Sequence, residues 1–183
     1  MFTRVWAEII ALCTTGPGAT SPLPLLDFFD EHGHDYNNVN WSTTFRYLGK
    51  HDPAKLRTLI FDNPNTWARF IHMVDSMMGY LHHKTGGAGL AKQIGPRNLA
   101  QLAFSLSRLD AANSQRGPLH LQTLELCAML DFYAEYLCET NEEQPHLSSN
   151  PETAAMIASA FAHANYASSF FFSTLNEPER SEW

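Results

Sequence analysis

The stretch Asn98–Asp110, NLAQLAFSLSRLD, follows Pro96 and reads as a short helix. Two other segments line up with it without gaps: Asn40–Asp52 (NWSTTFRYLGKHD) and Thr153–Asn165 (TAAMIASAFAHAN). In register, Leu48, Leu106 and Phe161 take the same apolar position, and the small residues Gly49, Ser107 and Ala162 follow. Then come the basic or potentially basic Lys50, Arg108 and His163, and Asp52, Asp110 and Asn165 close the segments. The copies are 58 and 55 residues apart, and each of the first two precedes a long apolar helix. A repeated helix-turn-helix unit accounts for both facts. Within it, the small residue lets the neighbouring helix approach closely. A cation in the last turn is favoured by the dipole of any helix, so the shared register weighs more than the charge.

Working outward, Trp67 to Leu81 places Trp67, Phe70, Ile71, Val74, Met77, Met78 and Leu81 on one helical stripe. Asn65 and Thr66 offer N-cap oxygens after Pro64, and Gly86, Gly87 and Gly89 are expected to end the helix. Residues 119 to 139 are apolar nearly all round, with Leu121, Leu124, Leu126, Met129, Leu130, Phe132, Tyr136 and Leu137, which predicts a helix sandwiched between layers. No stretch sustains a period of two, and Val and Ile are few, so a sheet is not expected. The fold class expected is all-α, a short α-solenoid of helix-turn-helix repeats. Residues 1–36 are read as N-terminal helices and a linker, 37–176 as the repeat domain and 177–183 as an acidic tail.

The chain has 183 residues, 44% of them hydrophobic and 17% charged, and surface scaling buries about 70% of such a chain without covalent staples. Cys13, Cys127 and Cys138 are an odd set without paired spacing, which fits a reducing compartment. Met1 to Thr15 holds an apolar run broken by Glu8 with only Arg4 as a cation, a poor signal peptide that leaves organelle import open. Residues 153–176 lack formal charge, yet His163, Asn165 and Asn176 are costly in hydrocarbon. They read as buried protein, with a membrane span as the lesser alternative. The net charge of −7 excludes a protein whose whole surface wraps nucleic acid, but it divides unevenly: −4 over residues 1–45, +6 over 46–118 and −9 over 119–183.

The aligned segments resemble the degenerate helical repeats of the octotricopeptide and heptatricopeptide repeat proteins, relatives of the FAST-kinase-like and RAP-domain proteins of organelles. NLAQLAFSLSRLD after Pro96 and TAAMIASAFAHANY after Pro151 carry the resemblance, and NVNWSTTFRYLGKHDPAKL is similar to a variant entered through an Asn-rich turn. It spans residues 37 to 175. The resemblance implies an α-solenoid, a mitochondrial or plastid location, and work on organellar RNA or within a ribonucleoprotein such as the mitochondrial ribosome. The spacing exceeds the family's unit of roughly forty residues, and three copies are few for reading a long RNA. A subunit of a larger assembly is therefore expected, with a protein-binding accessory subunit of an organellar respiratory or ATP synthase complex as the alternative.

Arg46, Lys50, Lys55, Arg57, Arg97, Arg108 and Arg116 fall around the ends of the first two repeats, where stacking would bring equivalent positions onto one phosphate-contacting face. Such a face is equally read as solvated, or as paired with the protein's own acids. Phe170, Phe171 and Phe172 either plug the core or meet a protein partner. Glu31, His32, His34 and Asp35 resemble a ligand cluster but lack a completing set, so no metal is expected. His82 and His83 suit a helix C-terminus without one. Thr85 to Leu90 is Gly-rich but lacks the Gly-Lys-Ser/Thr ending of a phosphate loop. No nucleophile-base set stands out, so a non-enzymatic protein without a cofactor is expected.

Overall fold

The structure is a computed structural model that describes residues 4–85, 94–113, 117–139 and 151–168. Among them the chain is all-helical, with eight α-helices and no strand. These are α1 (Arg4–Thr14), α2 (Leu23–His32), α3 (Asn38–Leu48), α4 (Pro53–Leu56), α5 (Pro64–Thr85), α6 (Pro96–Ala112), α7 (Pro118–Glu139) and α8 (Pro151–Ala164). The last five begin on a proline, which fixes a helical φ where its missing N–H costs nothing. Side-chain oxygens satisfy other free N–H groups: Asn37 Oδ1 accepts from Val39 and Asn40, and Asp52 Oδ1 from Ala54 and Lys55. At α5 the cap is Asn63, accepting from Asn65 and Thr66, rather than Asn65 or Thr66 themselves. Pro64 already belongs to the helix, so the cap lies one residue before it. The glycines expected to end α5 lie outside the described residues.

The helices form two rows. α1, α3, α6 and α8 pack side by side in chain order, and α2, α5 and α7 do the same, with α1 against α2, α6 against α7 and α7 against α8 across the rows. In the first row α3, α6 and α8 run in the same direction. Their N-terminal ends meet where Asn38 Nδ2 donates to the Ile94 carbonyl (3.1 Å), Ser42 Oγ donates to Asn98 Oδ1 (3.2 Å) and Arg97 pairs with Glu152 (3.1 Å). Near the other end Gly49 faces α6, where a Cβ would stand 3.6 Å from Ser105 Cα, an ordinary contact, so the approach of the two helices does not itself require a glycine. α6 and α8 make the most extensive of these contacts, and both carry buried alanines, Ala100 and Ala103 on α6 and Ala160 and Ala164 on α8. Before α2, the Gly/Pro linker folds tightly onto α1, where a Cβ on Gly16 would lie 2.8 Å from the Leu12 carbonyl oxygen.

The core runs between the rows. Leu48, Leu106 and Phe161, the shared apolar position, are all buried, at 0%, 0% and 1% exposure. The α5 stripe turns Phe70, Val74, Met77, Met78 and Leu81 inward, with Met73 added and Trp67 and Ile71 half-buried. α7 departs from expectation. Leu119, Thr123, Leu126, Cys127 and Leu130 face the core, while Leu121 and Phe132 stand 68% and 71% exposed. The helix packs on one side only, because no described element lies behind its row. Ala162 is exposed for the same reason, as α8 ends its row among the described residues, whereas Gly49 and Ser107 are buried. The residues that close the three aligned segments have three different jobs: Asp52 caps α4, Asp110 binds His120 Nδ1 (2.7 Å) at the α6–α7 corner, and Asn165, at φ 52°, ends α8 in the left-handed conformation. That break divides residues 153–176, and no helix among the described residues is long and apolar enough to cross a membrane.

Candidate nucleic-acid interface

α3, α6 and α8 are parallel neighbours, and each carries an exposed basic or potentially basic residue toward its C-terminal end: Lys50 just past the end of α3, Arg108 one turn before the end of α6, and His163 in the last turn of α8. Arg46 is exposed one turn before Lys50. None of Arg46, Lys50 and Arg108 has a carboxylate within ion-pair distance among the described residues. Lys50 and Arg108 each lie over a ring of their own segment instead. Lys50 Nζ stands 4.7 Å from the centre of the Tyr47 ring, and Arg108 Cζ 5.8 Å from that of Phe104. Phe104 in turn meets the His163 ring edge-on at 6.2 Å and 73°. His163 Nδ1 donates to the Ser159 carbonyl (2.6 Å), so its Nε2 is the nitrogen left for an outside partner.

The other cations expected here are engaged elsewhere. Lys55 Nζ donates to the Thr20 carbonyl (3.3 Å), and Arg57 Nη2 to the Ala112 carbonyl (3.4 Å), closing the C-terminus of α6. Arg97 occupies the opposite end of α6 from Arg108, eleven residues or about 16 Å along the axis, and pairs with Glu152. Arg116, Phe170, Phe171 and Phe172 lie outside the described residues. Tyr47 and Phe104 are the residues missed from sequence. Their signal was present locally, since each sits three or four positions before its cation on the same helix face.

Burial pushes the Cys13 and Cys127 thiols up to about 12, which leaves both protonated and unreactive at neutral pH. Around Glu31–Asp35 each imidazole meets the carboxylate next to it in the chain, His32 with Glu31 at 3.7 Å and His34 with Asp35 at 3.4 Å, and the His32 ring also lies 4.6 Å from that of Phe28. No three His, Cys, Asp or Glu side chains converge on a metal-sized site among the described residues. His82 Nε2 meets Glu125 at 2.8 Å and ties α5 to α7. Burial and the nearby Lys55 hold the His51 imidazole below its usual range, while a hydrogen bond with the Gly18 backbone works the other way.

No protein-family model, curated protein or solved structure matches the chain.

Proposed function

We propose that the chain is a non-enzymatic helical-repeat subunit of a ribonucleoprotein that contacts RNA through Arg46, Lys50, Arg108 and His163. The observation that carries this reading is that parallel neighbouring helices bring exposed Lys50 and Arg108 toward the same end of the row, each over its own ring, Tyr47 and Phe104, with the His163 ring against Phe104. Unpaired cations suit phosphates, and the rings beside them suit unstacked bases. The two rows support a short α-solenoid, in which α1 packs on α2 and α6 on α7 as hairpins and α8 opens another. On this reading α1 and α2 form a first unit that the sequence did not mark as a repeat. An organellar particle such as the mitochondrial ribosome is the setting implied by the repeat resemblance.

Arg97–Glu152 favours a second reading, a protein-binding scaffold of an organellar complex, because there a repeat-end cation is answered by the protein's own acid. A salt titration separates the two. Binding of a single-stranded RNA oligonucleotide, followed by fluorescence anisotropy, should weaken steeply as salt rises, with each phosphate contact contributing a slope of about −0.7 in log–log form. A flat response would count against RNA contact and for the scaffold.

A further inference from the structure

A cleft of about 500 Å³ opens between the α2–α3 connection and α5, on a different part of the molecule from the basic row. Its volume lies within the range of small-molecule sites, roughly 300–1,000 Å³. The deep side is aromatic. Phe29, Tyr36 and Trp41, each at most 6% exposed, meet one another with ring centres 4.8 to 5.9 Å apart, and Gly33 lets the Phe29 ring occupy a place that any Cβ would take. His72 lies 5.9 Å from Phe29, and Tyr80 lies 6.5 Å from Trp41 on the α5 side.

The charge around the opening is negative. Asp30 lines the cleft and shares Arg69 with Asp27, so two carboxylates answer one guanidinium. Glu31 and Asp35 add acid on the same connection, beside the ring nitrogens of His32 and His34. That sign disfavours phosphates and favours a cation, and ring faces bind cations best when these carry methyl groups rather than a tight hydration shell. An unanswered donor adds a second mark. The indole Nε1–H of Trp41 has no acceptor among the described residues, although the residue is only 2% exposed. Leaving such a group unpaired costs stability, and a ligand hydroxyl or carbonyl reached by a small side-chain shift would supply the acceptor.

We propose that this cleft binds an organic cation, an alkylated ammonium group seated against Tyr36, Trp41 and Tyr80 and attracted by Asp30. The cation belongs either to a free amine or to a modified lysine on a protein neighbour. The site does not depend on the RNA reading.

The test follows the Trp41 indole N–H signal in a ¹⁵N NMR spectrum of the full chain, identified by its loss in Trp41→Phe. Choline chloride and a capped trimethyllysine are titrated separately, with sodium chloride at matched ionic strength and the neutral carbon isostere of choline as controls. A saturable shift with the cations, absent with both controls and about tenfold weaker in Tyr80→Leu, is the expected result. Asp30→Asn should also weaken it several-fold, and it guards against a Tyr80 variant that fails to fold. Tighter binding of choline assigns the site to a free amine, and tighter binding of capped trimethyllysine assigns it to a protein side chain. An equal shift with the neutral isostere, or no shift with either cation, overturns the proposal.

Discussion

At the scale of single residues, burial sets the chemistry more than side-chain type does. Cys13 and Cys127 are thiols held near pKa 12 by desolvation, so neither should react with iodoacetamide at neutral pH until the chain unfolds. Peptide mass spectrometry across a denaturant series checks this, and labelling under native conditions would contradict it. His51 gives a pH prediction. Its folded pKa lies below the unfolded value of about 6.5, so between those two values the unfolded chain holds more protons than the folded one. Its contribution is complete above the unfolded pKa and is lost as pH falls toward the folded one. His51→Gln should therefore lose less stability than the native chain between about pH 7 and pH 5, as read from thermal melts. An unchanged acid slope would show that His51 does not titrate differently on folding. A Cβ on Gly49 would already touch Ser105 of α6, so a long side chain there meets packed helix. Gly49→Leu should cost about 1–3 kcal/mol through overpacking, seen as a lowered melting temperature.

Elements are held by their apolar register, while their surface ion pairs contribute little. Phe161 is 1% exposed and packs on Tyr166 with ring centres 5.0 Å apart, so Phe161→Ala should cost about 3–5 kcal/mol in denaturant unfolding. Glu152→Gln breaks a pair whose side chains are 68% and 67% exposed, and should cost less than about 1 kcal/mol. Equal effects would mean that α8 is held by its charges. The same register explains what the sequence made legible. Leu48, Leu106 and Phe161 are marked by periodicity alone, as is the α5 stripe, because a helix face is a local property. The one-sided burial of α7 was not legible. Leu121 and Phe132 are as apolar as Leu126 and Leu130, and only the absence of a described layer behind α7 separates them. The α5 cap was misplaced by two or three residues because Asn63, Asn65 and Thr66 all carry cap chemistry, and Pro64 at the first helical position selects among them.

On the scale of the whole molecule, the uneven charge takes a definite form. The excess of +6 over residues 46–118 does not gather into one face: Arg69 is answered by Asp27 and Asp30, Arg97 by Glu152, and Lys55 and Arg57 by backbone carbonyls. Of the basic side chains described in that stretch, Arg46, Lys50 and Arg108 are left without a carboxylate or carbonyl partner, and His163 lies beside Arg108's ring, Phe104. Sequence could name these cations, but not which would stay unpaired, since their possible partners lie some forty to fifty-five residues away in the chain. The central claim is that this set, and not basic charge in general, contacts RNA. Its most direct test compares a Lys50→Glu/Arg108→Glu double variant with Arg97→Glu for binding to single-stranded RNA by anisotropy at fixed salt, after circular dichroism confirms that both are folded. The double variant should bind at least about tenfold more weakly than the native chain while Arg97→Glu stays within about threefold. Equal losses in the two, or none in the double variant, would contradict the claim.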